Sequence, residues 1–468
     1  MQSRAVPLFS WLHVSDLHFG HGSAENRFDQ GLVLQVLQRD VQRLFDEGRV
    51  PTPDVILVTG DIVFSGNSRS SDEYATATQY LDKLAHGIKL SREQVFVVPG
   101  NHDVDRRVDR KIPIRRLLSA LRTDGEQLDE VLTSTYDSAL LGRRQANYRS
   151  FAKQFAPACR ADAQDINRLD VWTHRLSPRG VPVRLVGLNT ALLSSDDRDK
   201  GRLAVGIGAL HAALDPPPDI EREIVLFLGH HPLREGWLSN EAKISALMKR
   251  YGRLYLSGHM HSHESEDARS GAGTNFIWLS AGATHSELNH RVQGYNFAGV
   301  FADEKNCLRL QIWPRVWDHK NARFVVDHVN TPDGRGYAEH RLGTLASDAA
   351  TKRGNEAGVP LRMAQRGQTE SGQSKQAVLT SAMPVPTLAS LRGLLHKVLP
   401  TDADFSAFCL DYFPEAAHRF SNGMDLMAKI TLLFHYAEPD LILKRLQLYD
   451  SQRLIRYQGM LEFEDQED

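Results

Sequence analysis

The stretch "DVILVTGD", Asp54–Asp61, sets four apolar residues in a row and then stops on Thr59, Gly60 and a carboxylate. A run this short, apolar at every position instead of every second one, reads as a strand buried on both faces. Gly60 then permits a sharp turn into a polar loop. The same form recurs at Phe9–Val14 and in "QVFVVPG", "VRLVGLN", "EIVLFLG" and "GRLYLSG". Between these runs lie helical patterns: Leu32, Val33, Val36, Leu37, Val41, Leu44 and Phe45 share one face at a period near 3.6, and Glu73–Leu84 is a weaker case. Strand, helix, strand is the grammar of an α/β domain.

The chain of 468 residues is long enough for two or three domains, and 41% hydrophobic residues suffice for a substantial core. It holds no run of about 18 apolar residues, and "MQSRAVPLFSWLHVSD" lacks the charged-then-apolar form of a signal peptide, so neither a membrane span nor a membrane partner is expected and the expected compartment is cytoplasmic. Cys159, Cys307 and Cys409 stand far apart without a CxxC pair, which argues against a disulfide framework or zinc ribbon and for buried thiols. A net charge of −2 gives no general attraction to phosphate backbones.

After "GNHDVD" the alternation is interrupted by a mostly helical stretch, roughly 110–156, within an insertion of about 105–175. Its opening, "DRRVDRKIPIRR", is basic and reads either as a solvated helix face or as a clamp on substrate phosphate; Arg106 and Arg107 are the substrate-binding candidates. Strand-like runs return at "TNFIWLS", "YNFAGVFA" and "LRLQIWP". A first domain is therefore expected over 1–344. Residues 345–386 are polar, rich in Gly and Ser and without period, the signature of a disordered linker. Leu391, Leu394, Leu395, Val398 and Leu399 then resume a helical pattern, and further short helices are expected near 405–412, 424–434 and 439–449. This gives a small helical domain over 387–450 and an acidic tail over 451–468.

Each strand ending delivers a metal-type ligand: Asp16 and His18 in "SDLH", Asp61 in "TGD", Asn101 and His102 in "PGNHD", His230 in "LGHHP", and His259 and His261 in "SGHMH". Each motif alone is weak. Ligands placed after the carboxyl ends of successive strands, however, converge on one crevice, and five such motifs in order are far from chance. A shell of carboxylate, imidazole and amide oxygen without thiolate suits divalent ions such as Mn, Fe or Zn. Such ions acidify bound water.

In this order and spacing the motifs resemble the calcineurin-like metallophosphoesterases, over about Leu8–Pro314. The resemblance implies a two-sheet α/β/β/α sandwich, here with a helical insertion and a small all-α C-terminal domain. It further implies a binuclear centre, with Mn favoured, in which Asp16, His18 and His261 hold one ion, Asn101, His230 and His259 hold the other, and Asp61 bridges both. His102 becomes the residue that stabilises the transition state or protonates the leaving group, with Asp103 expected to orient it through a hydrogen bond. His231 falls at a variable position, and His263 reads as an ordinary loop side chain.

"HVSDLHFG", "VPGNHDVDR" and "HHPL" look most like the bacterial branch related to class III cyclic-nucleotide phosphodiesterases, which implies a phosphodiester of nucleotide type. The long insertion departs from the compact members of that branch. A nuclease is the second reading, and a phosphomonoesterase or protein phosphatase stays open. A catalytically dead scaffold is disfavoured because no ligand is missing. The C-terminal segment, through the Leu391–Leu399 helix, "DADFSAFCLDYFPE" and "FSNGMD", resembles the effector-associated, death-like domains of bacterial conflict systems. That implies an adaptor binding a like domain on a partner protein, with homo-oligomerisation as the alternative.

Overall fold

The computed structural model describes residues 6–21, 24–67, 71–159, 170–196, 198–260, 265–269, 275–283, 293–331, 334–345, 388–399, 401–417, 420, 424, 426–434, 436–437 and 439–449. The expected ligand His261, His263, nearly all of the expected linker, most of "FSNGMD" and the tail lie outside the described residues. The chain divides into two compact units, 1–360 and 361–468.

In the first unit the strands are β1 (Phe9–Val14), β2 (Val55–Thr59), β3 (Val95–Val98), β4 (Val171–Leu176), β5 (Val183–Leu188), β6 (Ile224–Leu228), β7 (Leu254–Ser257), β8 (Ser265–Arg269), β9 (Asn275–Ser280), β10 (Gly294–Ala302), β11 (Cys307–Asp318), β12 (Arg323–Val326) and β13 (Ala338–Thr344). One sheet runs β12-β11-β10-β1-β2-β3, with β13 added against β11, and the other runs β4-β5-β6-β7-β9-β8. β1, β2 and β3 are parallel, as are β5, β6, β7 and β9. The expected two-sheet α/β architecture is the one observed.

The continuous apolar runs have a simple cause. In β6, Leu226 and Leu228 enter the core shared with the first sheet, whereas Val225 and Phe227 enter the core beneath the helices on the other face. Successive side chains point to opposite faces, so both sets must be apolar. The helix Ala24–Asp46 buries Val33, Leu34, Leu37, Val41 and Leu44 against the first sheet. Leu32, expected on that face, is exposed, and Leu34 takes its place.

Val171–Leu176, placed by the sequence reading inside the helical insertion, is β4, an edge strand antiparallel to β5. The last helical segment described before it is the turn Pro157–Cys159. In the insertion, the helix Ile112–Thr123 buries Ile114, Leu118 and Leu121 and leaves Arg115 and Arg116 exposed. Cys159, Cys307 and Cys409 are free and buried. Among the described residues no helix is long and apolar enough to cross a membrane.

The second unit is described by the helices Leu388–Val398, Asp402–Tyr412, Pro414–Ala417, Leu426–Leu433 and Pro439–Tyr449. Leu391, Leu394, Leu395, Val398, Phe405, Phe408, Ile430, Leu433, Ile442 and Leu446 form its core. Thr401 caps the second helix by accepting the Asp404 N–H at 3.0 Å. Lys429 ties the fourth helix to the second through Asp402 at 2.7 Å.

Candidate metal centre

Ligand-bearing loops leave the C-terminal ends of β1, β2 and β3 in one sheet and of β6 and β7 in the other. Asp16, His18, Asp61 and His259 all have positive φ, at 54°, 48°, 51° and 69°. Non-glycine residues rarely adopt this region, and strain of this kind gathers at functional sites. Gly60, at φ 96°, belongs to the same turn as Asp61, and a Cβ on it would lie 2.6 Å from the His230 ring. Gly258 likewise has no room for a Cβ, because Ser15 and the Asp16 carboxylate press against it.

The side chains converge. His18 Nε2 is 3.7 Å from Asp16 Oδ1 and 3.6 Å from Asp61 Oδ2, and His230 Nε2 is 3.3 Å from the same Asp61 oxygen. Asn101 Oδ1 lies 3.0 Å from His230 Nε2 and 3.1 Å from His259 Nδ1. Three overlapping groups have donor atoms within 4.8 Å of one another: Asp16, Asp61 and His230; His18, Asp61 and His102; and His230, His231 and His259. Asp61 and His230 each belong to two of the three.

The donors fit a cation. His230 Nδ1 is 2.8 Å from the Thr59 carbonyl, which can only accept, so Nδ1 carries the ring proton. In the neutral ring, Nε2 then presents a lone pair to Asp61, to Asn101 and, at 3.2 Å, to His259 Nδ1. Acceptor atoms gathered so closely favour a positive charge among them. Without a metal the charge is a proton: burial works against the imidazolium, but the Asp61 carboxylate overrides it and pushes His230 up to about 9. Burial alone would raise Asp61, yet His230, His102 and His18 hold it well below the usual carboxylate range. His231 is driven well below the usual imidazole range by burial and by the neighbouring imidazoles of His259 and His230.

His102 is half-buried, with its Nδ1 donating to the Phe64 carbonyl at 2.8 Å and its backbone N–H donating to Asp61 Oδ1 at 2.8 Å. Its ring stacks on Phe64 and meets His18 edge-on, with centroids 4.8 Å apart in the second case. Asp103 does not orient it. The Asp103 carboxylate is fully buried and accepts from Tyr74 Oη (2.8 Å) and from the N–H groups of Gly100 (2.8 Å), Ile62 (3.2 Å) and Val63 (3.3 Å). These four donors use its two oxygens, so Asp103 laces the β2 loop to the β3 loop while a backbone carbonyl directs His102. Burial and the charge of Asp61 push Asp103 up to about 6, against the pull of those hydrogen bonds.

Arg106 and Arg107 lie on the turn that follows; the Arg107 guanidinium is exposed and held by Asp105 at 3.0 Å. The sequence reading missed the outer layer. The Thr190 hydroxyl accepts the N–H groups of His230 (3.2 Å) and His231 (3.1 Å), and half-buried Trp237 meets His259 edge-on at 4.3 Å. Thr190 follows the "VRLVGLN" strand, so its position after a strand end was the available signal.

Comparison with known proteins bears on this arrangement. The family model described as calcineurin-like phosphoesterase matches residues 9–263. The chain is 25% identical over 279 residues to the uncharacterized metallophosphoesterase-like protein YydB of Bacillus subtilis, covering 58% of this chain and 53% of that one. The alignment thus spans about half the length of that curated relative. Among solved structures, a dimetal phosphatase of Danio rerio is 14% identical with a TM-score of 0.39, covering 68% of this chain and 98% of that one. A putative 5'-nucleotidase of Staphylococcus aureus is 13% identical with a TM-score of 0.35, covering 73% and 55%.

Proposed function

Because the chain belongs to the calcineurin-like phosphoesterase family, we propose that it is a metal-dependent phosphoester hydrolase whose substrate is a phosphodiester of nucleotide type. The convergence of Asp16, His18, Asp61, Asn101, His230 and His259 from both sheets carries this reading. Asp16 and His18, completed by His261, would hold one divalent cation; Asn101, His230 and His259 would hold the second, with Asp61 shared. When bound, such a pair supplies the Lewis acidity that acidifies water and draws charge from a phosphoryl group.

The protein's own residues supply the rest. Thr59 and Thr190 hold His230, so its Nε2 stays bare toward the centre. The Phe64 carbonyl takes the Nδ1 proton of His102, so Nε2 can donate to an oxygen of the phosphoryl group, or pass a proton to the leaving oxygen, only when the ring is doubly protonated. Asp103 keeps the two loops carrying Asp61 and Asn101 in register.

Hydrolysis by the Mn-loaded protein of bis(p-nitrophenyl) phosphate, beside p-nitrophenyl phosphate, cyclic nucleotides and single- and double-stranded DNA, tests the substrate class. Preference for the diester with cleavage of cyclic nucleotides is expected. Cleavage of DNA alone would move the protein to the nucleases, and a preference for the monoester to the phosphatases. The helical second unit supports an adaptor role toward a partner carrying a like domain. Self-association of residues 387–468 without capture of such a partner would contradict it.

A further inference from the structure

We propose that the Arg144–Asn147 turn of the helical insertion is a positioning device for His102, with Asn147 acting through the loop Phe64–Asn67. The proposal rests on the catalytic role of His102 proposed above.

Three residues of this turn, Arg144, Gln145 and Asn147, reach three loops of the site. Arg144 is fully buried; its guanidinium is bound by Asp109 through Nε (2.6 Å) and Nη2 (3.1 Å) and donates to the carbonyls of Leu192 and Ser194 beyond β5. A buried guanidinium is tolerable only when its donors are met, so these contacts fix the turn onto the second sheet's loop. The Arg144 carbonyl accepts the Asp105 N–H at 2.7 Å, just past the loop that carries Asn101 and His102. Gln145 exchanges amide hydrogen bonds with Asn189, at 2.7 and 3.2 Å.

Asn147 completes the span. Its Nδ2 donates to the carbonyls of Gly66 (2.9 Å) and Asn67 (2.8 Å). Two carbonyl acceptors admit only the NH₂ end of the amide, so its orientation is fixed. Between Asn147 and His102 lies one short loop. Its start is anchored by the Phe64 N–H on the Phe19 carbonyl at 2.9 Å, and the Phe64 carbonyl receives His102 Nδ1. A Cβ on Gly66 would lie 2.5 Å from the Asp103 carbonyl oxygen, so the loop is seated directly on the backbone that follows His102. Without Asn147 the far end of this loop loses two of its hydrogen bonds, and the Phe64 carbonyl holds the imidazole less firmly in one orientation.

The test is a double-mutant cycle in the full-length, Mn-loaded protein with bis(p-nitrophenyl) phosphate as probe, with bound metal and thermal midpoint measured for every variant. Asn147→Ala, and Asn147→Asp, which keeps the shape but lacks the donor, should each lower kcat about 10-fold, with KM within about twofold and metal content unchanged. In a His102→Ala background the same changes should alter kcat by less than about twofold. An equal 10-fold loss in both backgrounds, no loss in either, or loss of metal from the Asn147 variants would overturn the proposal. His102→Ala with full turnover would instead overturn the catalytic reading beneath it, and the proposal with it.

Discussion

The two sheets contribute to the centre in different ways. Loops of the first sheet are laced to one another: the Gly60 carbonyl takes the Asp16 N–H (3.1 Å), the Asp61 carbonyl takes the His18 N–H (2.9 Å), and Asp103 gathers Ile62, Val63 and Gly100. The second sheet brings imidazoles aligned on that frame. His230 hangs its Nδ1 on Thr59 of β2, and the His259 N–H reaches Asp16 Oδ2 at 3.1 Å. The acidic side is therefore a framework, and the imidazole side is referenced to it. Damage to the first should spread through the whole centre, whereas damage to the second should stay local.

The largest effect belongs to Asp61, the carboxylate proposed to be shared. Asp61→Asn should lower turnover by about 10³-fold or more, measured against the diester, since both halves of the centre lose a charge together. His102→Ala should cost about 10²-fold in kcat with metal content intact, which separates proton handling from ligation. Asp103→Asn keeps the shape but turns an NH₂ toward backbone donors. A loss of about 3 kcal/mol, seen as a fall in thermal midpoint of about 4 °C, is expected. The smallest is Thr190→Val. Removing the hydroxyl that holds His230 and His231 should weaken metal affinity at that half about 10-fold by titration, with the fold retained. Equal damage from Asp103→Asn and Thr190→Val would erase the distinction between frame and guest.

Much of this was legible because burial on both faces forces continuous apolar runs, and every ligand-bearing run stood out for that reason. The edge strands did not. "VWTHRL" in β4 and "AEHRLGT" in β13 mix charged and apolar residues because they lie at or near an open edge, and β13 is mostly solvated. The residues that converge on the candidate centre were readable from residue type and order, His261 lying outside the described residues, but their supports were not. Phe64 acts through a backbone carbonyl, which any residue would supply, and Tyr74 meets Asp103 across 29 positions of chain. The short distance from His102 to Asp103 in sequence suggested a hydrogen bond that the fold assigns elsewhere. Arg144 could not be told from its exposed neighbour Arg143 by type alone, since only packing separates a buried guanidinium from a solvated one.

The central claim is that one carboxylate unites ligands from both sheets into a single two-metal centre. Metal stoichiometry of the Mn-loaded protein and of its Asp61→Asn variant, by elemental analysis after exhaustive desalting, tests it most directly. Two ions per chain in the parent and no more than one in the variant are predicted. Two ions retained without the Asp61 carboxylate, or none bound by the parent, would contradict it.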